Sequence, residues 1–250
     1  MKNKPRRLFW DIETSLNVVS TFSFFKTNIP HKWLIEPWYM ICASWRWEGE
    51  KKIHSVSVLD GQSHTDDSVI VAALYDVLSQ ADSIVAHNGD AFDIKKFNAR
   101  AIYYGYAPLP NIIQEDTLKM ARSKFAFPYN RLDALGEYLG VGRKVHVETD
   151  LWTDCLMGDT TAIKKMIKYN KGDITLLQNV YDRISPWVPS KLNMNHFSEE
   201  RVCPKCGSHN LHISKYKLTR AGKQVQLHCQ HCGHYSSMPV SKLGKEGLAR

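Results

Sequence analysis

Four carboxylates occupy positions where a charged side chain is unfavourable, and together they could hold divalent cations. The first two, Asp11 and Glu13, lie in the strand-like run LFWDIET at 8–14. Because the side chains of a strand alternate between its two faces, both carboxylates share a face with Phe9. Two like charges on a buried face repel each other and lose hydration, so a partner must offset them.

The other two carboxylates lie where predicted elements meet the same region. Asp93 follows the buried-strand pattern at 83–89 and begins the next helix, which places it at the carboxyl end of the sheet. A favourable interaction with the helix dipole would also explain Asp93. In the predicted helix 159–184, Asp173 falls inside the apolar arc, and Tyr169 lies one turn earlier at its edge. An ordinary buried ion pair is the alternative for Asp173.

One arrangement accounts for all four carboxylates together. If they converge at one end of the sheet, they can bind two Mg²⁺ or Mn²⁺ ions, which prefer oxygen ligands. Two such ions about 4 Å apart activate a water and stabilise the leaving oxygen in phosphoryl displacement. The sequence therefore predicts a two-metal site for phosphoryl chemistry.

The order of predicted elements is typical of an α/β fold with a mixed sheet flanked by helices. Strands are predicted at 6–13, 38–47, 52–59, 83–89 and 111–114, and helices at 66–81, 93–105, 117–125, 131–140 and 159–184. Two prolines in the segment 185–195 end the last helix and indicate a boundary between domains at 1–192 and 193–250. The long aromatic segment 15–37 is interpreted as an insertion near the site or a lid.

Two C-x₂-C-G motifs, CPKCG at 203–207 and CQHCG at 229–233, indicate a small metal-binding module. Four thiolates at this spacing predict a zinc ribbon with one structural Zn²⁺, bound by Cys203, Cys206, Cys229 and Cys232. Between the motifs, two basic strand-like runs flank a turn at 221–222. Disulfides are the alternative, which a reducing compartment disfavours. Cys42 and Cys155 lie in apolar runs and are predicted to be core residues.

The charge of the chain is concentrated in this C-terminal segment. The net charge is +8, and residues 193–250 contribute +6 of it, with nine Lys and Arg against three Asp and Glu. This distribution predicts contact with a phosphate backbone, with docking to a protein as the alternative. The sequence has 43% hydrophobic residues, which excludes a disordered chain. We expect no signal peptide, no membrane span and a cytoplasmic location.

The motifs DIET at 11–14, HNGDAFD at 87–93 and YNKGD at 169–173 resemble those of the DEDD superfamily of 3′–5′ exonucleases, the DnaQ-like group with a ribonuclease H-like fold. The tyrosine of the third motif is similar to that of the DEDDy branch, which includes the proofreading domains of family B DNA polymerases. The resemblance covers residues 6–184, and the three motifs occur in the order of the family.

The resemblance implies a role for each motif residue. Asp11, Glu13, Asp93 and Asp173 would bind the two metal ions, and Tyr169 would hydrogen-bond the attacking water. At its ordinary pKa near 10 a tyrosine is a poor general base at neutral pH, so orientation of the water is the expected role.

The resemblance further implies that Thr14, Asn88 and Phe92 contact the substrate, although Phe92 is also consistent with a core position. The substrate would be nucleic acid, with single-stranded DNA or 3′ ends expected, and the protein partners would be replication or repair proteins. Asp116 is predicted to cap the helix that follows it, with contact to the metal ligands as the alternative. His87 is interpreted as a buried histidine at a strand end.

Two other function classes stay open from the sequence alone. One is a nucleic-acid-binding or replisome-docking protein with little activity, and the other is a structure-specific endonuclease that uses the same metals. A DNA polymerase domain does not fit, because about 65 residues follow the third motif helix.

Overall fold

A computed structural model describes residues 5–22, 25, 28–148 and 150–243 of the chain. Its strands are β1 (Arg7–Thr14), β2 (Val18–Val19), β3 (Leu34–Glu36), β4 (Met40–Trp47), β5 (His54–Ser57), β6 (Ser83–Ala86), β7 (Ile113–Asp116), β8 (Leu211–Thr219), β9 (Gly222–Cys229) and β10 (Tyr235–Pro239). Its helices are α1 (Ser68–Ser79), α2 (Asp93–Tyr103), α3 (Thr117–Lys124), α4 (Leu132–Tyr138), α5 (Leu151–Leu156) and α6 (Thr160–Ile184).

A five-stranded mixed sheet lies at the centre, in the order β5-β4-β1-β6-β7. Strands β1, β6 and β7 are parallel, while β4 and β5 are antiparallel to their neighbours. The carboxyl ends of β1, β6 and β7 therefore meet at one edge of the sheet, where α/β folds place their ligands. The predicted α/β class and mixed sheet are confirmed.

Strand β1 is buried on both faces, and its side chains alternate as the sequence predicts. Leu8 and Trp10 belong to the core cluster that includes residues of α1 and α2, and the Trp10 ring packs edge-on against Phe97 of α2. Phe9 points to the other face, where its ring meets Tyr181 of α6 at 5.4 Å between centroids. Asp11 and Glu13 follow Phe9 on that second face, so α6 is the element that covers them.

Helix α6 is the longest helix described, and its ends follow from its sequence. The Asp159 carboxylate accepts hydrogen bonds from the backbone N–H groups of Thr161 and Ala162, which caps the first turn. The helix ends before Pro186, which has no N–H to continue it. Asp173 lies in its buried stripe with 1% exposure, as the helical periodicity predicts.

Three elements differ from the predicted pattern. Within the segment 15–37, of which residues 23, 24, 26 and 27 lie outside the described part, β2 and β3 pair as a two-stranded sheet. Helix α5 is short and was missed. At the start of α1, Oδ1 of Asp66 accepts the N–H of Ser68 at 3.0 Å, whereas the buried carboxylate of Asp67 makes no capping bond and pairs with Arg100 at 2.5 Å.

The C-terminal part forms a three-stranded antiparallel sheet in the order β10-β9-β8. We call residues 201–243, which contain this sheet and both C-x₂-C motifs, the cysteine module. The first two strands match the predicted basic runs, and the third was missed. The boundary between residues 192 and 193 stays a prediction. No helix in the described ranges is both long and apolar enough to cross a bilayer.

Candidate active site

Three of the four predicted carboxylates meet between β1 and α6. One carboxylate oxygen from each of Asp11, Glu13 and Asp173 lies within 4.8 Å of the other two. The two residues of β1 share a face by strand alternation, and α6 crosses that face. Asn170, one turn before Asp173, donates a hydrogen bond of 2.6 Å from Nδ2 to Oδ2 of Asp11. The helix thus fixes the position of the first carboxylate as well as supplying the third.

The fourth carboxylate, Asp93, lies beside this group rather than within it. It begins α2 and is 2% exposed. Its Oδ1 accepts the backbone N–H of Ile12, at 3.3 Å, which anchors it to the strand residue between Asp11 and Glu13. Asp93 is close enough to Asp11 for its charge to raise the pKa of that carboxyl. The structure therefore brings all four carboxylates to one end of the sheet.

The buried negative charge of these carboxylates favours the binding of a cation. Burial, followed by the charges of Asp93, Glu13 and Asp173, raises the pKa of Asp11 well above its usual value. Burial likewise raises the pKa of Glu13 to about 8 and that of Asp93 to about 7. In the described part of the chain, Oδ1 of Asp173 is buried and has no hydrogen-bond partner. Carboxylate oxygens whose negative charge is not fully compensated are suitable ligands for Mg²⁺ or Mn²⁺.

Lys144 is a site residue that the sequence analysis missed. Its ammonium nitrogen lies 2.5 Å from Oδ2 of Asp173 and donates to the hydroxyl of Tyr169 at 3.1 Å. These contacts raise the pKa of Lys144 despite its burial. The Tyr169 ring is held in turn by Trp152 of α5, which packs edge-on at 6.1 Å between centroids. Lys144 itself lies in the irregular segment between α4 and α5, where no periodic pattern in the sequence indicates its role.

The second motif forms a tight turn between β6 and α2. Asn88 has a φ of +66°, and its N–H donates to Oδ1 of Asp116 at 3.0 Å. The same oxygen accepts the N–H of Leu118 at 2.9 Å, so the predicted cap of α3 is confirmed and also ties the turn to β7. A Cβ on Gly89 would lie 2.5 Å from the Cβ of Ala86, so this turn requires glycine.

His87 supports the same turn without reaching the carboxylates by any hydrogen bond described. Its Nδ1 lies 2.9 Å from Oγ1 of Thr117, at the start of α3. Burial lowers the pKa of His87 to about 4, so the imidazole is neutral at physiological pH. This geometry agrees with the structural role predicted for it.

The three predicted substrate-contacting residues lie in the same segments as the carboxylates but differ in exposure. Thr14 ends β1, and Asn88 lies in the turn described above; both are partly exposed. Phe92 is 38% exposed, so the alternative that it is a core residue is wrong. The Lys96 ammonium lies 5.5 Å from the Phe92 ring and 3.5 Å from that of Trp38. Contact of Thr14, Asn88 and Phe92 with substrate stays a prediction.

A second metal-binding arrangement lies in the cysteine module. The four sulfur atoms of Cys203, Cys206, Cys229 and Cys232 all lie within 4.8 Å of one another. All six cysteines of the chain are free, and Cys42 and Cys155 are buried as predicted. Four sulfur ligands at this mutual distance fit a tetrahedral Zn²⁺ site.

The two C-x₂-C-G motifs have the same backbone geometry. Gly207 and Gly233 have φ values of +73° and +78°, and each donates its N–H to the carbonyl of the first cysteine of its motif, at 2.9 Å. Hydrogen bonds from the Cys206 thiol and from backbone N–H groups lower the pKa of Cys203 to about 4. The repeated glycine turn thus aims both pairs of sulfur atoms at one point.

The family of the chain follows from a match over most of the α/β part. The family model described as RNase_H superfamily matches residues 37–185, which is more than half of the chain. The chain therefore belongs to the RNase_H superfamily. The match begins after β1, so it includes Asp93 and Asp173 but not Asp11 or Glu13.

A solved structure has the same fold. The family B DNA polymerase from the hyperthermophilic archaeon Pyrobaculum calidifontis aligns with a TM-score of 0.54 at 16% sequence identity. The alignment covers 73% of this chain and 25% of the polymerase, so this chain corresponds to about a quarter of that protein. No curated protein matches the sequence.

Proposed function

We propose that this protein is a metal-dependent 3′–5′ exonuclease of the DEDDy type, acting on the phosphodiester bonds of DNA. The observation that carries the proposal is that carboxylate oxygens of Asp11, Glu13 and Asp173 lie within 4.8 Å of one another. Asp93 accepts a hydrogen bond from the N–H of the strand residue between Asp11 and Glu13. Membership of the RNase_H superfamily supports nuclease-type chemistry on nucleic acid at this end of the sheet.

The four carboxylates are the residues that would hold two Mg²⁺ or Mn²⁺ ions. When bound, the ions would supply an activated water and stabilisation of the charge that develops in phosphoryl displacement. The raised pKa values of Asp11, Glu13 and Asp93 support this assignment, because the four groups cannot all ionise together without a compensating charge. Lys144 supplies part of that charge to Asp173.

Tyr169 and Lys144 act on the water and on the third carboxylate. The Tyr169 hydroxyl accepts a hydrogen bond from Lys144, which leaves its own hydrogen free to be donated to the oxygen of the attacking water. Burial, together with the charge of Asp173, raises the pKa of Tyr169, so it stays protonated at neutral pH. Its role is therefore to orient the water rather than to remove a proton.

The substrate end would lie against Thr14, Asn88 and Phe92. An exposed aromatic ring such as that of Phe92 offers a face on which the terminal base can stack. Asn88 presents its side chain from a left-handed turn that Asp116 holds rigid. A single strand or a frayed 3′ end can reach this position with an unpaired base, which is why we propose it as the substrate.

The cysteine module would bind one Zn²⁺ through its four thiolates and help to hold nucleic acid. A structural metal of this kind supports the reduced state of the cysteines and hence a cytoplasmic location. Proteins of replication or repair are the proposed partners, because a processing enzyme for 3′ ends works where such ends are produced.

A labelled single strand tests the proposal. With a 5′-end label and Mg²⁺, we expect a ladder of products that shortens from the 3′ end, while a covalently closed single-stranded circle stays intact. RNA of the same sequence measures the preference for DNA. Rapid cutting of the circle would replace the exonuclease with the endonuclease, and absence of cleavage of every substrate would favour a binding protein.

A further inference from the structure

One face of the three-stranded sheet in the cysteine module is polar and exposed. In β9, Val225, Leu227 and Cys229 are buried, so the alternate residues of that strand face away from the module core. The register pairs these alternate residues with partners on both neighbouring strands. We call this surface the outer face; its defining residues are His212, Lys215, Lys217, Gln226, His228 and Tyr235.

The electrostatics of the outer face suit a polyanion. Between residues 201 and 243 the sequence contains no Asp or Glu, but it contains seven Lys and Arg. Lys215 and Lys217 are exposed on the edge strand β8, two residues apart and therefore on the same face. Their spacing of about 7 Å along the strand matches the distance between successive phosphates of an extended nucleic-acid strand.

The outer face also carries an exposed aromatic pair. His228 and Tyr235 are cross-strand partners, and their rings stack with 4.3 Å between centroids and 14° between planes. Tyr235 is 51% exposed, so one side of this stack is open. A flat aromatic surface beside cations is the combination that single-stranded nucleic acids use, because every base has a face that can stack.

The outer face continues into a cleft at Tyr235. This cleft, of about 740 Å³, lies between the cysteine module and the end of α6, and its lining includes Lys124, Arg183 and Trp187. Trp187 is 70% exposed and offers a second stacking surface. Asp182 also lines the cleft, beside the cations of Lys124 and Arg183.

We propose that the outer face and this cleft bind single-stranded nucleic acid, with bases stacked on Tyr235 and phosphates paired with Lys215 and Lys217. The inference rests on the proposed function, since it takes the same substrate class, and it adds a binding surface outside the carboxylate site. A duplex keeps its bases stacked on each other and cannot use Tyr235 in this way. Single-stranded DNA and RNA share the chemistry that the face recognises.

Binding can be measured separately from hydrolysis. The full chain carrying Asp11→Asn is titrated with a fluorescent oligothymidine of about 20 nucleotides, long enough to cover several stacking positions. No chelator is added, because it would also remove metal from the four cysteines. An oligonucleotide with the same phosphates but abasic sugars measures the contribution of the bases, and RNA and duplex of the same length complete the set.

The aromatic test compares two tyrosines of the same sheet. Tyr235→Ala should weaken binding of oligothymidine about tenfold and leave binding of the abasic strand unchanged. Tyr235→Phe keeps the ring and should bind normally. Tyr216→Ala is the matched control, because Tyr216 pairs with Val225 and lies on the opposite face. Equal losses in Tyr235→Ala and Tyr216→Ala, or no loss in either, would overturn the proposal.

The charge test compares two lysines near the end of the same hairpin. Lys217→Ala should lower the log–log salt slope of binding by about 0.7. Lys223, whose ammonium lies 5.0 Å from the Tyr216 ring, is on the opposite face, so Lys223→Ala should leave the slope unchanged. Tighter binding of duplex than of single strands would also overturn the inference.

Two controls separate a loss of binding from a loss of folding or of catalysis. Circular dichroism and zinc content of each variant establish whether the module is folded. If Tyr235→Ala does not fold, Tyr235→Phe provides a variant that keeps the ring. In the chain with Asp11 restored, Tyr216→Ala, on the opposite face of the sheet, should cleave short oligonucleotides at the normal rate. If the unmodified chain cleaves nothing, the proposed exonuclease fails while the binding result stands.

Discussion

The ammonium group of Lys205 lies 3.4 Å from Oε2 of Glu115, and this contact joins the first C-x₂-C motif to the last strand of the central sheet. Glu115 also accepts hydrogen bonds from Arg7 at 2.9 Å and from the Tyr181 hydroxyl at 2.8 Å. All four residues are buried. Burial alone would raise the pKa of Glu115, but the charges of Arg7 and Lys205 and the Tyr181 hydroxyl hold it below its usual value.

Removing one partner from this buried group should be strongly destabilising. Lys205→Met should lower the free energy of unfolding by about 3 kcal/mol, because Glu115 loses a charge partner in a site closed to water. In the double variant with Glu115→Gln the loss should be smaller than the sum of the single losses. Urea unfolding measures all three, and Lys215→Met, at an exposed position, is the control. Equal effects of Lys205→Met and Lys215→Met would contradict the coupling.

Because Lys205 lies between Cys203 and Cys206, loss of metal should also destabilise the central sheet through the contact of Lys205 with Glu115. Elemental analysis should give about one zinc per chain, and Cys203→Ser with Cys206→Ser should remove it. Hydrogen exchange of the β7 amides should then become faster, since Glu115 loses its fixed partner. Unchanged exchange in β7 after complete loss of zinc would mean that the module and the sheet are independent. The exchange measurement thus also tests the predicted boundary at residues 192 and 193.

The carboxylates themselves give the most direct test of the active site. Asp11→Asn and Asp173→Asn should each reduce hydrolysis by orders of magnitude, because each substitution removes an oxygen ligand with its charge from the group of three. Asp76→Asn, on the exposed side of α1, is the matched control and should keep full activity. Single-turnover cleavage of a labelled strand measures the loss. Normal cleavage rates in either variant would contradict the assignment of these carboxylates to the active site.

Local patterns predicted most of the fold and the convergence of the main candidate metal ligands. The alternation in LFWDIET put Asp11 and Glu13 on one face, and helical periodicity put Asp173 in a buried stripe; both are seen in the structure. The spacing of the two C-x₂-C-G motifs predicted that the four cysteines would meet. Each of these signals depends on residues close together in the chain, where the geometry of strand, helix or turn is fixed by a few dihedral angles.

The features that were missed depend on contacts between distant segments. Lys144 reaches Asp173 across 29 positions from a segment without periodicity. The Asp67 carboxylate, beside the start of α1, accepts hydrogen bonds from Arg100 and from the N–H of Met40, and neither is a local partner. No repeating pattern in the sequence records which irregular segment faces which site, so such pairs become visible only in three dimensions.

The contact between Lys144 and Tyr169 predicts that their effects on catalysis are coupled. Tyr169→Phe should slow turnover by about 10²-fold while metal binding is retained, because the hydroxyl orients the water without being a ligand. Lys144→Met should also slow turnover, since it leaves Asp173 without its cation and Tyr169 without its donor. The double variant should lose less than the product of the two single effects. Simple multiplication of the effects would indicate that the two side chains act independently.

Proton uptake by the carboxylate group predicts how Mg²⁺ changes stability with pH. The folded protein holds protons on Asp11, Glu13 and Asp93 more tightly than the unfolded chain does, because their pKa values are raised. Without Mg²⁺, their contribution should therefore be fully present below about pH 4 and be lost as the pH rises to about 8, where Glu13 ionises.

Mg²⁺ replaces those protons, so the increase in melting temperature on adding Mg²⁺ should be small at about pH 5 and much larger at about pH 8. Differential scanning fluorimetry over this range measures the increase without depending on catalysis. Asp76→Asn should behave like the unmodified protein, whereas Asp11→Asn should lose most of the increase at the higher pH. An increase of the same size at both pH values, or one that Asp11→Asn retains, would place the bound cation somewhere other than at these carboxylates.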